Sequence, residues 1–550
     1  MRLGLAQVCI MGIVLGLFGS TGAQVNQEWV ARYNGTGNYV DEAYSIAVDG
    51  VGNVYVTGMS TGVGTSQDYA TVKYDAAGNP LWTARYNGTG NAGDKAKQVV
   101  VDGSGNVYVT GYSWGNGTNY DYATVKYSSA GVQLWVTRYN GSAYGNDYAM
   151  SLAVDSDGNV YVTGQAVGSS LYEAYTTFKY SASGDLLWTA IYEGLGTGGD
   201  YPYALVLDDS SNVYVTGQSQ GNGSNFYDYA TLKYSSAGVL LWIARYDGPG
   251  NGEDDAYALA VDGNGNVFVT GKSFNVNMDY ATLKYDASGN QLWVARYNGP
   301  GNGADVAQSI ALGVDGSVSV TGGSVGVGTG EDYVTIKYDG AGSQLWVARY
   351  NGPGNGVDRA YSVGMDEGCN VYVTGESLPL GSLTNTDYAT IRYDAFGNQL
   401  WVERYNGPAN YPTDVAYSLA VDGISNIYVT GKSPTNTSST DYATIKYNQI
   451  PGAVNPFITP ESPASFTLLP PHPNPFNPTT VLSFHLPAAD FVKLGIYDVY
   501  GRLVTTLVNG WREAGRHEVT FDGFDLPSGI YIYRIEAGDW QASGKMVLVK

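Results

Sequence analysis

Aspartate and arginine recur in this chain at spacings too regular for chance. One carboxylate row, Asp41, Asp94, Asp147, Asp200, Asp254, Asp305, Asp358 and Asp414, precedes a short β-forming segment in every copy of an internal repeat. Such a row offers the hard oxygen ligands that calcium takes, and it would attract a cationic ligand to the mouth of a central channel. The same residue type also caps turns by accepting nearby backbone amides, and a feature present in every copy ordinarily serves the fold of that copy. A second row, Asp68, Asp121, Asp228, Asp279, Asp332, Asp387 and Asp441, opens one strand per copy, and Arg32, Arg85, Arg138, Arg245, Arg296, Arg349 and Arg404 sit in the next strand. Hairpin geometry sets Asp68 near Arg85, which predicts a cross-strand ion pair in seven copies. The remaining copy has Ala174 and Ile191 instead, so its pair is expected to be lost as a unit.

Aromatic residues supply the other candidate chemistry. Trp114 lies outside the tryptophan register of the repeat, and Tyr112, Tyr120, Tyr144 and Tyr172 fall in or beside neighbouring loops. Flat rings with Asn and Gly neighbours suit stacking on sugars, whose rings present an apolar face and a hydrogen-bonding edge. The alternative is that these rings pack on their own loops. His472, His485 and His517 all lie beyond the repeat, which leaves no histidine-based triad or histidine metal site within it. A pair of carboxylates would still suffice for glycoside hydrolysis. Asp155-Ser156-Asp157-Gly158-Asn159 looks like part of a calcium loop but has no bidentate glutamate at the required spacing, so it reads as a hairpin turn.

The elements that position these residues are strands. Trp29, Trp82, Trp135, Trp188, Trp242, Trp293, Trp346 and Trp401 mark a period of about 53 residues. Each copy contains a Val-Tyr-Val-Thr-Gly phrase or a close variant, ending at Gly58, Gly111, Gly164, Gly217, Gly271, Gly322, Gly375 and Gly431. In the first complete copy, segments 44–49, 53–58, 69–74 and 81–86 are rich in Val, Ile, Tyr, Thr or Trp and are separated by Gly, Asn, Asp and Ser. Four strands per repeat is how a β-propeller blade is written, so the fold class is all-β with eight blades. The chain enters at Glu28–Tyr33 in the fourth-strand phase and leaves the repeat at 441–447 in the third. One N-terminal and three C-terminal strands are therefore expected to close the ring.

The phrases Ser-Ile-Ala-Val-Asp, Gly-Asn-Val-Tyr-Val-Thr-Gly and Asp-Tyr-Ala-Thr resemble the β-propeller repeat of secreted bacterial proteins, the SBBP type. That family's name implies seven blades, whereas the copies here number eight. Quinone-dependent dehydrogenases are also eight-bladed and tryptophan-tagged, but their vicinal Cys pair is missing and their tryptophan motif differs.

Net charge is −22, which excludes nucleic acid and anionic membrane as natural partners and favours cationic ones. Residues 1–23 carry one early positive charge, an apolar run and small closing residues, the pattern of a signal peptide. The mature chain would retain only Cys369, and no later segment is long and apolar enough to span a bilayer. A propeller is expected over 24–448 and a Pro-rich linker over 449–467, followed by a small β-sandwich at 468–550. In this last part, Pro473-Asn474-Pro475-Phe476-Asn477-Pro478, Ile496-Tyr497-Asp498-Val499-Tyr500-Gly501-Arg502 and the closing Lys545-Met546-Val547-Leu548-Val549-Lys550 resemble the C-terminal sorting domain of the type IX secretion system and the related FlgD-like immunoglobulin fold. The resemblance implies the type IX machinery as a partner, and a location outside a Gram-negative cell or on its outer-membrane surface.

Together these features read as a secreted, non-enzymatic binding or scaffold module for a carbohydrate or protein ligand. The alternatives are a carbohydrate-active hydrolase using paired carboxylates, or a purely structural surface protein.

Overall fold

A computed structural model describes residues 25–141, 145–168, 172–221, 226–382, 384–409, 413–435, 439–449, 467–468, 471, 474, 476–486, 490–512, 515–524, 526–538 and 540–550. The segment read as a signal peptide, most of the expected linker, Tyr144 and His472 lie outside the described residues. The chain divides into two compact units, the first being Val25–Gln449 and the second formed by the described residues beyond it.

The first unit contains eight four-stranded antiparallel sheets. Blade one consists of Asp41–Val48, Val54–Thr61, Gln67–Tyr74 and Pro80–Tyr86 in sequence order. Its second and third strands are almost wholly buried, which accounts for their near-continuous run of β-branched and aromatic residues. The threonines inside that run satisfy each other: Thr57 and Thr71 hydroxyls meet at 2.9 Å across the two strands, and the same pair recurs in every blade. The hairpin between the first two strands is held by Asp49, whose carboxylate accepts from Val51 N, Asn53 N, Asn53 Nδ2 and the Tyr55 hydroxyl. Asp155 does the same work in blade three, accepting from Asp157 N, Asn159 N and Tyr161.

Ring closure is visible in one repeated hydrogen bond. The Tyr69 hydroxyl donates to Ala123 O in the next blade at 3.1 Å, each following blade repeats the bond, and Tyr442 of blade eight donates to Ala70 O of blade one. Blade eight itself combines Val415–Val421, Ile427–Pro434 and Thr440–Gln449 with the N-terminal Val25–Tyr33. In its register Arg32 lies opposite Ala443 and Tyr33 opposite Tyr442. This is the closure expected from the phase of the repeat.

The charged rows act as struts between and within blades. Arg–Asp pairs form at 2.7–3.2 Å in seven blades, including Arg85–Asp68 at 2.9 Å and Arg32–Asp441 at 3.2 Å. The same guanidinium reaches a serine of its own blade and the tyrosine hydroxyl of the preceding one, as Arg138 does with Ser113 and Tyr86. Blade three lacks the whole set, carrying Ala166, Ala174 and Ile191 where the others have Ser, Asp and Arg. Phe178 fills the gap and packs 4.5 Å from the Tyr139 ring, which has no arginine to meet. Seven of the eight repeat tryptophans lie on the hairpin glycine of the next blade: a Cβ on Gly78 would come within 2.6 Å of the Trp29 ring, and Trp29 Nε1 donates to Ala76 O beside it.

The second unit packs two antiparallel sheets face to face. Thr467–Leu468, Thr479–Leu486 and Gly515–Asp522 form one, and Leu503–Arg512, Asp490–Tyr497, Gly529–Ala537 and Trp540–Leu548 form the other. Leu482, Phe484 and Phe521 from the first meet Leu494, Ile496, Ile535 and Met546 from the second in a common core. Phe476 is buried there, its backbone paired with Val547 and Val549, while Asn474 Oδ1 accepts from Val547 N. These contacts tie Asn474 and Phe476 to the closing strand.

Candidate functional site

The innermost strand of each blade is its first. These strands pack against one another around the ring, and Ser45 Oγ accepts from Val99 N, Gln98 Oε1 from Leu152 N and Ser151 Oγ from Leu205 N. Every one of them bulges at the same point: pairing skips from Ala43 to Ser45, and likewise in the other seven blades, leaving Tyr44, Lys97, Met150, Tyr203, Tyr257, Gln308, Tyr361 and Tyr417 without a ladder partner. A bulge re-aims a side chain. Here the freed side chains touch from blade to blade. Lys97 Nζ sits 5.3 Å from the Tyr44 ring centre, Tyr44 lies 5.6 Å from Tyr417, and Tyr417 lies 5.8 Å from Tyr361. On the far side Tyr203 and Tyr257 are 5.3 Å apart.

The residues just before the bulge and just after each Val-Thr-Gly glycine face the same seams. Lys432 of blade eight binds Glu42 of blade one at 3.3 Å, and Tyr44 donates to the same carboxylate at 2.6 Å. Lys272 binds Asp255 at 2.9 Å and Glu253 at 3.1 Å, with Tyr257 donating to Asp255. Between blades six and seven, Arg359 Nε donates to Glu331 at 2.7 Å, and Glu376 accepts from Tyr361 and Thr386. Burial pushes the Glu331 carboxyl up against the pull of Arg359. No two seams carry the same set of side chains, although the strands around them are nearly identical from blade to blade.

Three of the aromatics singled out from the sequence meet at one such seam. Tyr120 contacts both Trp114 and Tyr112, at 5.0 and 5.1 Å between ring centres. Tyr148 of blade three completes the cluster 4.7 Å from Tyr112, and sequence reasoning had missed it. Burial raises the Tyr112 hydroxyl to about 12. The Trp114 ring also rests against the entry loop, where a Cβ on Gly90 would collide with it. Tyr172 is exposed at the surface of blade three, and Tyr144 falls outside the described residues.

The eight-membered aspartate row is buried and bonded to backbone. Asp41 accepts from Gly35 N at 2.7 Å and Thr61 N at 3.0 Å, clasping the blade-entry loop to the end of the second strand. Asp94, Asp147, Asp254, Asp305 and Asp358 repeat both bonds, while Asp200 and Asp414 accept from Gly194 N and Gly407 N. Among the described residues, one set of carboxylates converges enough to hold a cation: Asp228, Asp247 and Asp254, with ligand atoms within 4.8 Å of one another. Arg245 already binds Asp228 there.

Two aspartate rows make opposite contributions to stability as pH changes. Burial raises the loop-clasping row, with Asp254 and Asp414 reaching about 6. A folded carboxyl with a raised pKa stabilises fully below its unfolded value and loses that contribution as pH rises through the folded one. In the hairpin row, amide and hydroxyl donors outweigh burial and lower Asp49, Asp102, Asp155, Asp208 and Asp366. Their contribution is present above the unfolded value and lost as pH falls through the depressed one. Melting temperature is therefore expected to peak at about pH 4–5 and to decline toward pH 7, where repulsion from a net charge of −22 adds to the loss. A scan from pH 3 to 8 that rises steadily to neutrality would contradict this.

Comparison with known proteins agrees with this architecture. Residues 28–64, 82–117, 134–171 and 187–224 match the Beta-propeller repeat family, SBBP, and residues 472–550 match the Secretion system C-terminal sorting domain. Over 468 residues the chain is 24% identical to an uncharacterised WD repeat-containing protein of Acanthamoeba polyphaga mimivirus, covering 70% of this chain and 32% of that protein. The chain thus spans about a third of that relative's length. Among solved structures it is similar to a fungal AA5-family alcohol oxidase in complex with copper, with 15% identity over 82% of this chain and 96% of that one, at a TM-score of 0.40. It is also similar to PorZ, a bacterial surface component of the type IX secretion system of Porphyromonas gingivalis, with 13% identity over 92% of this chain and 74% of that one, at a TM-score of 0.31. No described helix is long and apolar enough to cross a membrane. The chain carries SBBP-type β-propeller repeats and a C-terminal sorting domain, and so is a type IX-secreted protein of the cell surface or extracellular space.

Proposed function

We propose that this protein is a non-enzymatic binding module whose carbohydrate or protein ligand is recognised at the inner mouth of the propeller. One observation carries the reading: within their strands, nearly identical blades differ from one another mainly where the first-strand bulges and the blade seams meet. Framework positions repeat because all blades solve the same packing problem. Seam positions that each hold a different mix of tyrosine, lysine, carboxylate and amide serve no such common purpose. Aromatic faces flanked by charged edges are the usual makings of a polar-ligand site.

The test is a glycan-array and surface-protein screen of the full chain, run with and without calcium because of the Asp228, Asp247 and Asp254 set. Trp114→Ala and Tyr361→Ala probe different parts of the mouth, with Gly103→Ala, where a Cβ meets nothing within 4 Å, as control. Binding at least tenfold weaker in either mouth variant, with the control unchanged, is the expected result. Binding that survives both mouth variants would overturn the assignment.

A structural role is favoured by a different feature. Leu81, Leu134, Leu187, Leu241, Leu292 and Leu345 form an exposed row on the outermost strands, each about half accessible, and the outward edges of those strands are unpaired. Concentration-dependent assembly that is abolished by serine substitutions in this row would support that second reading.

A further inference from the structure

Blade six is the one in which the seam opens. At the register after the Val-Thr-Gly glycine the other blades carry Met59, Tyr112, Gln165, Gln218, Lys272, Glu376 or Lys432, whereas blade six has Gly323. Its partner across the strand pair is Val306, where other blades have charged or aromatic residues in six of seven cases. Glu331 leans into the vacated space: a Cβ on Gly323 would collide with its carboxylate. What remains is a cavity of about 370 Å³, floored by Val306 and Val325 and edged by Gln308, Glu331, Arg359 and Tyr361. That size lies within the range of about 300–1,000 Å³ typical of small-molecule sites.

We infer that this cavity between blades six and seven is a saccharide site, in which the Glu331–Arg359 pair grips two neighbouring hydroxyls of a neutral sugar. The inference rests on the mouth being a binding surface and names its ligand class. Arg359 Nε is committed to Glu331 Oε2 at 2.7 Å, and its NH1 stands 4.0 Å from Glu376, which leaves donor capacity on a side chain 46% exposed. Glu331 Oε1 accepts no hydrogen bond among the described residues. The rim thus offers an acceptor and a donor side by side.

Charged ligands match this edge poorly. A carboxylate brought to Arg359 would meet Glu331 and Glu376, and an ammonium brought to Glu331 would meet Arg359. A hydroxyl is donor and acceptor at one atom, so one hydroxyl of a vicinal diol donates to Glu331 Oε1 while its neighbour accepts from Arg359. The Tyr361 ring and the two valines then face the C–H surface of the sugar. A free sugar and the end of a glycan share this chemistry.

The experiment is calorimetric titration of the full chain with neutral monosaccharides and disaccharides, with butylamine and acetate as charged probes, beside the same sugars displayed on an array. Gly323→Met installs the residue of blade one and fills the cavity with a side chain the fold accommodates at that register elsewhere. Arg359→Lys keeps the charge but removes the planar fork. Sugar binding, free or displayed, that falls at least tenfold in both variants while Gly103→Ala, where a Cβ meets nothing within 4 Å, leaves it unchanged is the expected result. No sugar binding by the native chain, saturation by butylamine or acetate instead, or sugar binding indifferent to Gly323→Met would each overturn the inference. Sugar binding lost in Trp114→Ala but kept in Gly323→Met would refute this pocket while leaving the mouth as the binding surface.

Discussion

Arg404→Ala is expected to destabilise the propeller by about 3 kcal/mol. The guanidinium donates to Asp387 at 3.0 Å, to Ser377 O at 2.8 Å, to the Ser377 hydroxyl, and to the Tyr350 hydroxyl of the preceding blade at 3.0 Å. Asp387 is buried, and Arg404 is what pulls its carboxyl back from the upward push of burial. Truncation leaves that charge without a partner, a change that costs about 3–5 kcal/mol at fully buried sites. Arg404 retains some solvent contact, which places the effect at the lower end. Blade three shows the way out. A variant carrying Ser377→Ala, Asp387→Ala, Ile391→Phe and Arg404→Ile reproduces its Ala166, Ala174, Phe178 and Ile191. It is expected to recover to within about 1 kcal/mol of the native chain, because the buried carboxylate goes together with its partner and only the half-buried Tyr350 hydroxyl loses its arginine, as Tyr139 has none beside blade three. Thermal melts of the two variants check both halves, and equal losses would show that the polar set does not act as a unit.

Gly375→Ala is expected to cost about 3 kcal/mol, the upper end for forcing a methyl into a packed interior. A Cβ at this position would collide with the backbone carbonyl of Arg359, which has no rotamer to escape into. The collision exists because the first strand bulges there, pressing the carbonyl before Ala360 toward the second strand. Relief requires the bulge to move, and Tyr361 moves with it. The variant should therefore lose ligand affinity at the mouth as well as stability. Gly103→Ala, where a Cβ meets nothing within 4 Å, is the control and should change stability by less than about 0.5 kcal/mol. A Gly375 variant as mild as the Gly103 one would argue against the bulge as a rigid support.

The framework was readable from the chain because it is written many times over. Repetition exposed the four-strand unit, the hairpin aspartates, the closing phase of the ring and the Arg–Asp pairs, including the blade that lacks them. The start of each first strand was not readable. The segment 44–49 looked like a strand, but pairing begins at Asp41. The bulge at Tyr44 breaks the alternation of inward and outward residues, so Asp41 and Glu42 looked like loop ahead of the strand. Those registers make the mouth. A signal was present in the disagreement among copies at 42, 44 and 59, which stands out once the copies are aligned.

Trp114, Tyr112 and Tyr120 were legible as unusual residues, yet their meeting with Tyr148 depends on the seam between two blades. So does the cavity beside Gly323, since a glycine in a strand opens space only if its neighbours across the seam leave it open.

What the sequence determined by itself is the blade: a strand pattern, its turns and its internal pairs are local enough to follow from residue type and spacing. Which side chains share a seam was decided by tertiary structure alone. Each seam joins residues about one repeat apart, and blades eight and one meet through residues nearly the whole propeller apart, as Lys432 and Glu42 do. The curvature that brings them together is a property of the closed ring, set by how blades pack and not by any one copy of the repeat.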